Sequence, residues 1–234
     1  MYRQIENYCE LAINIAKNDH KKLETLISRW NHLPQEMFNQ ILAYLNSVEV
    51  KACSDEDRFV LWQRLTDEIQ RHRRFSESDW AMPESELEPL ERAAENIRPR
   101  DPAIVNKRWF NHYEHDFFLS DDYDTERRLV NEGRLTALAE IVKAYDLNAV
   151  ISFAESVELP REVGHTLAQL DNLESDSLLL PHLLDSDGHH LDFVKGYVWS
   201  AYYKRSMVWV SRLDFSKWTN TQIAVFLASI PFKK

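Results

Sequence analysis

Apolar residues recur at helical spacing along almost the whole chain, and this pattern constrains the fold more than any other feature. Ile5, Tyr8, Cys9, Ala12, Ile13 and Ala16 share one face of a first predicted helix. Asp19 can cap a second helix carrying Leu23, Leu26, Ile27 and Trp30. Pro34 suits the start of a third, with Phe38, Ile41, Leu42 and Leu45 inward. Ser54 and Asp57 mark the start of a fourth that runs to about Phe75 and buries Leu61, Leu65 and Ile69. Residues 76–84 read as a loop with Trp80 and Met82 tucked into the core. A fifth helix follows with Leu87, Leu90, Ala94 and Ile97 on one face, and Pro89 fits only within its first turn. The RPRDP segment at 98–102 is a break.

Only four glycines are present. Hairpin turns and phosphate loops need glycine for positive φ or close backbone approach, so the count argues against β-rich and nucleotide-binding folds. The strand-like stretches, Val48–Val50 and Met207–Val210, are too short to outweigh their helical surroundings.

Past residue 124 a long helix is predicted with Leu135, Leu138, Ala139 and Val142 inward. Short helices then start near residues 147, 175 and 206, each followed by a partner near 160, 188 and 219. Both series step by about 28 to 31 residues, in the range of stacked helical hairpins. The expected fold is therefore all-α: an irregular α-solenoid of helical hairpins, HEAT- or TPR-like in kind but without a fixed consensus. Its divisions are a helical half at 1–108, a connector at 109–124 and hairpin repeats at 125–234.

The connector, WFNHYEHDFFLSDDYD, is where helical periodicity fails and aromatics, histidines and acids crowd together. Two readings are open: a packed joint between helical halves, or a binding surface. For a surface, Tyr113, Phe117, Phe118 and Tyr123 would supply anchors, and Asp121 and Asp122 would select a basic or polar partner. His112, Glu114, His115 and Asp116 form a metal-like cluster, but H-Y-E-H matches no zinc-protease spacing. In a second cluster, at His182, Asp185, Asp187, His189, His190 and Asp192, the acids fall short of a calcium loop; the simpler expectation is that Asp187 caps a helix. Arg71, Arg73 and Arg74 suit a helix C-terminus or pairing with Asp121, Asp122 or Asp124.

A net charge of −10 disfavours nucleic acid as the main partner. Two cysteines suit a reducing compartment without a disulfide framework. No signal segment opens the chain, and no run approaches the about 18 apolar residues of a membrane span, so a cytoplasmic protein is expected. Nucleophile elbows, phosphate loops and C-x-x-C pairs are absent, and no cofactor is expected. The chain begins and ends on helical patterns, which suits a segment of a longer protein.

W-Q-R-L at 62–65, R-H-R-R-F at 71–75, D-W-A-M-P-E at 79–84 and D-D-Y at 121–123 form an ordered series. R-L-T-A-L-A-E-I at 134–141, F-A-E-S-V-E-L-P-R-E-V-G at 153–164 and the final W-V-S-R-L and W-T-N-T-Q-I continue it. Together they resemble the C-terminal helical-repeat region of large bacterial antiviral defence proteins of the STAND-type NTPase and sirtuin-linked kind. The resemblance implies a helical array that senses an invader protein or holds an inactive state, with NTPase and effector activities outside it. No catalytic residue maps onto this sequence. The expected function is a non-catalytic protein-interaction domain, sensor or scaffold; the alternative is a metal-dependent hydrolase built on His112 and His115 or His189 and His190.

Overall fold

In the computed structural model, the described residues are 10–11, 14–15, 19–30, 33–111, 117, 120, 122–170 and 174–231. They form helices, turns and loops and no strand, which makes the fold all-α. Ile5, Tyr8, Cys9, Ala12, Ile13 and Ala16, the inward face of the first predicted helix, lie outside the described residues. The chain divides into two compact units. One comprises residues 1–105 with 117–121, the other residues 106–116 with 122–234.

In the first unit, α1 (His20–Ile27) starts where Asp19 accepts from the Lys21 and Lys22 amides. Next come α2 (Gln35–Leu45), α3 (Val48–Lys51), α4 (Asp55–Arg74), α5 (Glu84–Ile97) and α6 (Pro102–Val105). The 20-residue α4 carries the clearest end signals. Ser54 caps it by accepting from the Asp57 amide at 3.1 Å. Asp55, Glu56 and Asp57 occupy its first turn, and Arg71, His72, Arg73 and Arg74 its last, each sign matching the helix dipole. Leu61 and Leu65 from α4 meet Leu23 and Ile27 of α1 and Leu87 and Leu90 of α5 in a fully buried core.

Pro89 sits at the sixth residue of α5, beyond the first turn where the sequence placed it. Its missing N–H therefore forgoes a bond to the Ser85 carbonyl. Trp80 also differs from expectation. It is 45% exposed and lies over the end of α4, against His72, Phe75 and Arg71, while Met82 is buried. The break at 98–101 is held by side chains of α4: Asp55 Oδ2 accepts from the amides of Arg100 (2.8 Å) and Asp101 (2.7 Å), and Arg58 donates to the Arg98 carbonyl (3.4 Å). The two amide bonds, followed by Arg58, keep the Asp55 carboxyl below the usual range against the opposing effect of burial, the largest single influence.

The second unit holds α7 (Arg108–Asn111), α8 (Tyr123–Ala144), α9 (Leu147–Glu155), α10 (Pro160–Gln169), α11 (Glu174–Leu179), α12 (Gly188–Val210) and α13 (Asn220–Ser229). Short 3₁₀ turns occupy His182–Asp185 and Phe215–Lys217. Caps again fix the starts: Asp146 accepts from the Ala149 amide, and Thr219 and Gln222 form a reciprocal capping box.

The buried face of α8 is rotated from the expected one. Val130, Arg134, Ala137, Leu138 and Ile141 face inward, while Ala139 is exposed. The reason is a charge that periodicity counts as polar. Arg134 is 2% exposed because its guanidinium donates to the Trp109 carbonyl and to Glu162, each at 3.0 Å. Its partners in α7 and α10 give a buried cation what burial would otherwise deny it.

Helices α10 and α12 pack on each other more extensively than any other pair. Their crossing uses two glycines. A Cβ on Gly164 would stand 1.9 Å from the Phe193 carbonyl oxygen, and one on Gly196 2.1 Å from that of Arg161. The backbones meet directly there. Further along, α12 is interrupted at Ser206 (φ 57°, ψ −162°), a conformation that residues with a Cβ rarely adopt. The sequence placed a boundary between two short helices at this point.

Candidate functional site

The connector that drew attention in the sequence is only partly described. Tyr113, Phe118 and Asp121, with His112, Glu114, His115 and Asp116, lie outside the described residues. Phe117 is fully buried. Asp122 is exposed but caps α8, accepting from the Thr125 amide at 2.8 Å; bonds from Thr125 lower its carboxyl. Tyr123 is 62% exposed, with the Arg127 guanidinium 5.8 Å from its ring centre. Trp109 and Phe110 are packing residues: the Trp109 ring fills the space beside Gly133, and Phe110 meets Phe153 edge-on at 5.4 Å.

Arg71, Arg73 and Arg74 occupy the last turn of α4, as expected, and Arg71 and Arg73 take glutamate partners in their own unit. Arg73 bonds Glu91 (2.6 Å) and Glu84 (2.9 Å), and Arg71 bonds Glu68 (2.6 Å). Asp124 pairs with Arg127 within α8. In the second histidine cluster, His190 Nε2 lies 3.0 Å from Glu155 Oε1 and His189 Nδ1 3.1 Å from the Glu155 carbonyl. Asp187 holds the N-cap position of α12, but its side chain makes no capping bond, in contrast to the expectation. Asp185 instead accepts from Gln222 of α13. Among the described residues, no group of three or more histidine, cysteine or acidic side chains is arranged to hold a metal ion.

One constellation was invisible to a linear reading. Cys53 Sγ lies 3.8 Å from His20 Nε2, and His20 Nδ1 lies 3.4 Å from Asp57 Oδ1. The order thiol, imidazole, carboxylate matches a nucleophilic triad in connectivity. Its electrostatics oppose that role. Burial pushes the Cys53 thiol up, Asp57 adds to the shift, and the thiol bonds the Glu49 carbonyl at 3.3 Å. A nucleophilic cysteine needs a lowered pKa.

The feature with the geometry of a binding site lies in the second unit. A pocket of about 540 Å³ opens between α11, the turn after it, the end of α12 and the 3₁₀ turn before α13. Its walls include Leu180, Pro181, Val208, Trp209, Leu213 and Trp218. An aromatic cluster steadies them. Phe226 is fully buried and meets Trp209 (5.7 Å), Phe215 (5.6 Å) and Trp218 (5.3 Å) between ring centres.

Asp176 anchors the polar side. It accepts from Tyr197 Oη at 2.5 Å, from Trp209 Nε1 at 2.9 Å and from Arg205 Nη1 at 3.3 and 3.4 Å. Burial and then the Asp176 bond hold the Tyr197 phenol far above its usual pKa, so it stays a donor. Arg205 Nη2 is buried and has no hydrogen-bond partner among the described residues. Arg212 and Lys217 are exposed and complete the charged lining with Asp214. The strained Ser206 directly follows Arg205, and Tyr203, Met207 and Val208 are 75%, 59% and 56% exposed. The W-V-S-R-L segment was noted in the sequence only for its resemblance. Nothing in its spacing shows that Asp176, some 33 residues away, bonds its tryptophan.

No known protein family, curated protein or solved structure matches the chain. Among the described residues no helix is long and apolar enough to cross a membrane.

Proposed function

We propose that this chain is a non-catalytic helical binding domain that captures a protein partner, as sensor or scaffold, through the pocket at the end of α12. The pocket's construction carries the reading. Its 540 Å³ falls within the roughly 300–1,000 Å³ of ligand-binding pockets. Its apolar walls are braced by packed aromatics, and Met207 and Val208 continue an apolar surface beside it. Partner side chains that fill such pockets carry most of the energy of a protein interface. The second unit is on this reading an irregular stack of helical hairpins, the solenoid arrangement suggested by its spacing.

The sequence resemblance supplies the wider setting: a cytoplasmic segment of a larger bacterial antiviral defence protein. The partner is then an invader protein or another domain of the parent chain. Capture experiments with the intact chain test the binding reading. Val208→Trp, which obstructs the pocket from an exposed position, is expected to abolish capture while Tyr123→Ala leaves it. Capture that survives Val208→Trp in a folded protein overturns the assignment to the pocket. Stoichiometric metal in purified protein would instead favour the hydrolase.

A further inference from the structure

The charges lining the pocket say what kind of group enters it. Arg205, Arg212 and Lys217 stand against Asp176 and Asp214, a local excess of positive charge in a chain of net charge −10. Asp176 does not use up Arg205. Both its oxygens also accept from Tyr197 or Trp209, and its contacts with Arg205 are the longest in the network. That division leaves Arg205 Nη2 buried and without a partner among the described residues, a costly condition for a charged donor. Arg212 makes no ion pair among the described residues and is exposed at the same pocket.

We propose that the pocket takes a carboxylate carried on an apolar body, and that its source is the carboxyl end of the protein partner. The inference rests on the protein-binding reading above. The side chains of Leu180, Val208 and Leu213 offer no bonds to a heavily hydrated dianion, which disfavours phosphate. An internal peptide segment would bring further backbone amides against these walls. A chain end brings one side chain for the apolar walls and one charge for Arg205 and Arg212. Charge-assisted bonds to a planar carboxylate are the strongest that arginine makes in such a setting.

Calorimetry on the full chain tests the proposal with a short acetylated peptide ending in phenylalanine, its amidated form, and phenylbutyrate. The indole N–H resonance of Trp209 reports occupancy. The free-carboxylate peptide is expected to bind at least about tenfold more tightly than the amide and to shift that resonance. Arg212→Gln, at an exposed side chain with no ion pair among the described residues, is expected to remove most of the difference. Equal binding of the two peptides overturns the carboxylate inference and leaves the protein-binding reading intact when Val208→Trp abolishes both. Phenylbutyrate as tight as the peptide overturns the chain-end source in favour of a small-molecule acid. Binding of neither peptide overturns the proposal outright, and the capture experiment then judges the protein-binding reading separately.

Discussion

Replacing Gly196 with alanine brings two ordinary rules into conflict. Alanine is the better helix former by about 1 kcal/mol, so propensity alone favours the change. The added Cβ, however, would lie 2.1 Å from the Arg161 carbonyl oxygen and 2.9 Å from its carbonyl carbon. The obstacle is backbone, so no side-chain rotation relieves it. Separation to an ordinary contact requires α10 and α12 to part by about 1 Å, and a gap of that size forfeits a quarter to a half of each dispersion contact across it. Val163, Leu167, Phe193, Val194 and Tyr197, all essentially fully buried, surround the crossing. Overpacking of this kind costs about 1–3 kcal/mol, and the backbone collision places Gly196→Ala at or above the upper end. After the propensity gain, a net loss of about 2 kcal/mol remains, or roughly 4–8 °C in Tm for a chain of this size. Urea denaturation followed by far-ultraviolet dichroism measures it. The double variant Gly164→Ala/Gly196→Ala should lose less than the sum of the singles, because one opening accommodates both methyls. A neutral or stabilising Gly196→Ala would refute the direct backbone contact.

Relief of backbone strain at Ser206 gives the opposite sign: Ser206→Gly is expected to stabilise by about 1 kcal/mol in denaturant titration, since only glycine adopts that φ,ψ freely. His72 should make the first unit acid-sensitive. It is fully buried, accepts from the Met82 amide at 3.1 Å, and its pKa is lowered by burial and then by Arg71. A lowered folded pKa means its contribution is full above the ordinary histidine value of 6.5 and is lost as pH falls through the folded value. Stability measured at stepped pH below 6.5 should therefore fall less steeply in His72→Phe than in the parent. Glu68 carries the opposite sign. Burial, against Arg71 and Arg64, raises its carboxyl, so its contribution is present below the ordinary glutamate value of 4.5 and fades as pH rises through the folded one. Glu68→Gln should thus become relatively more stable than the parent as pH increases from that point; an unchanging difference would refute the shift.

Sequence and structure agree where local rules operate. Asp19 and Ser54, read as helix starts in the sequence, satisfy free amides there with their side chains, and such pairs lie within three residues. The helix starts near residues 147, 160, 175, 188 and 219 and the break near Ser206 were legible from local sequence too. The inward face of α8 was not, because Arg134 is buried by partners 25 and 28 residues away. The candidate sites follow the same division. A cluster of acids and histidines stands out in a linear reading, whereas the pocket needs Asp176, Arg205, Trp209 and Trp218 to be brought together by folding. The Cys53, His20 and Asp57 constellation was hidden similarly, as its thiol and imidazole lie 33 residues apart.

The two bonds from Asp55 to the amides of Arg100 and Asp101 carry a consequence for cooperativity. They join the first turn of α4 to a segment 45 and 46 residues later, past the whole of α5. Those amides can exchange with solvent only when the start of α4 releases them. Their hydrogen-exchange rates should therefore follow those at the opening turn of α4, and differ from those of loop amides that bond only to near neighbours. A single carboxylate ties the segment after α5 to the opening turn of α4, so that the two open as one unit.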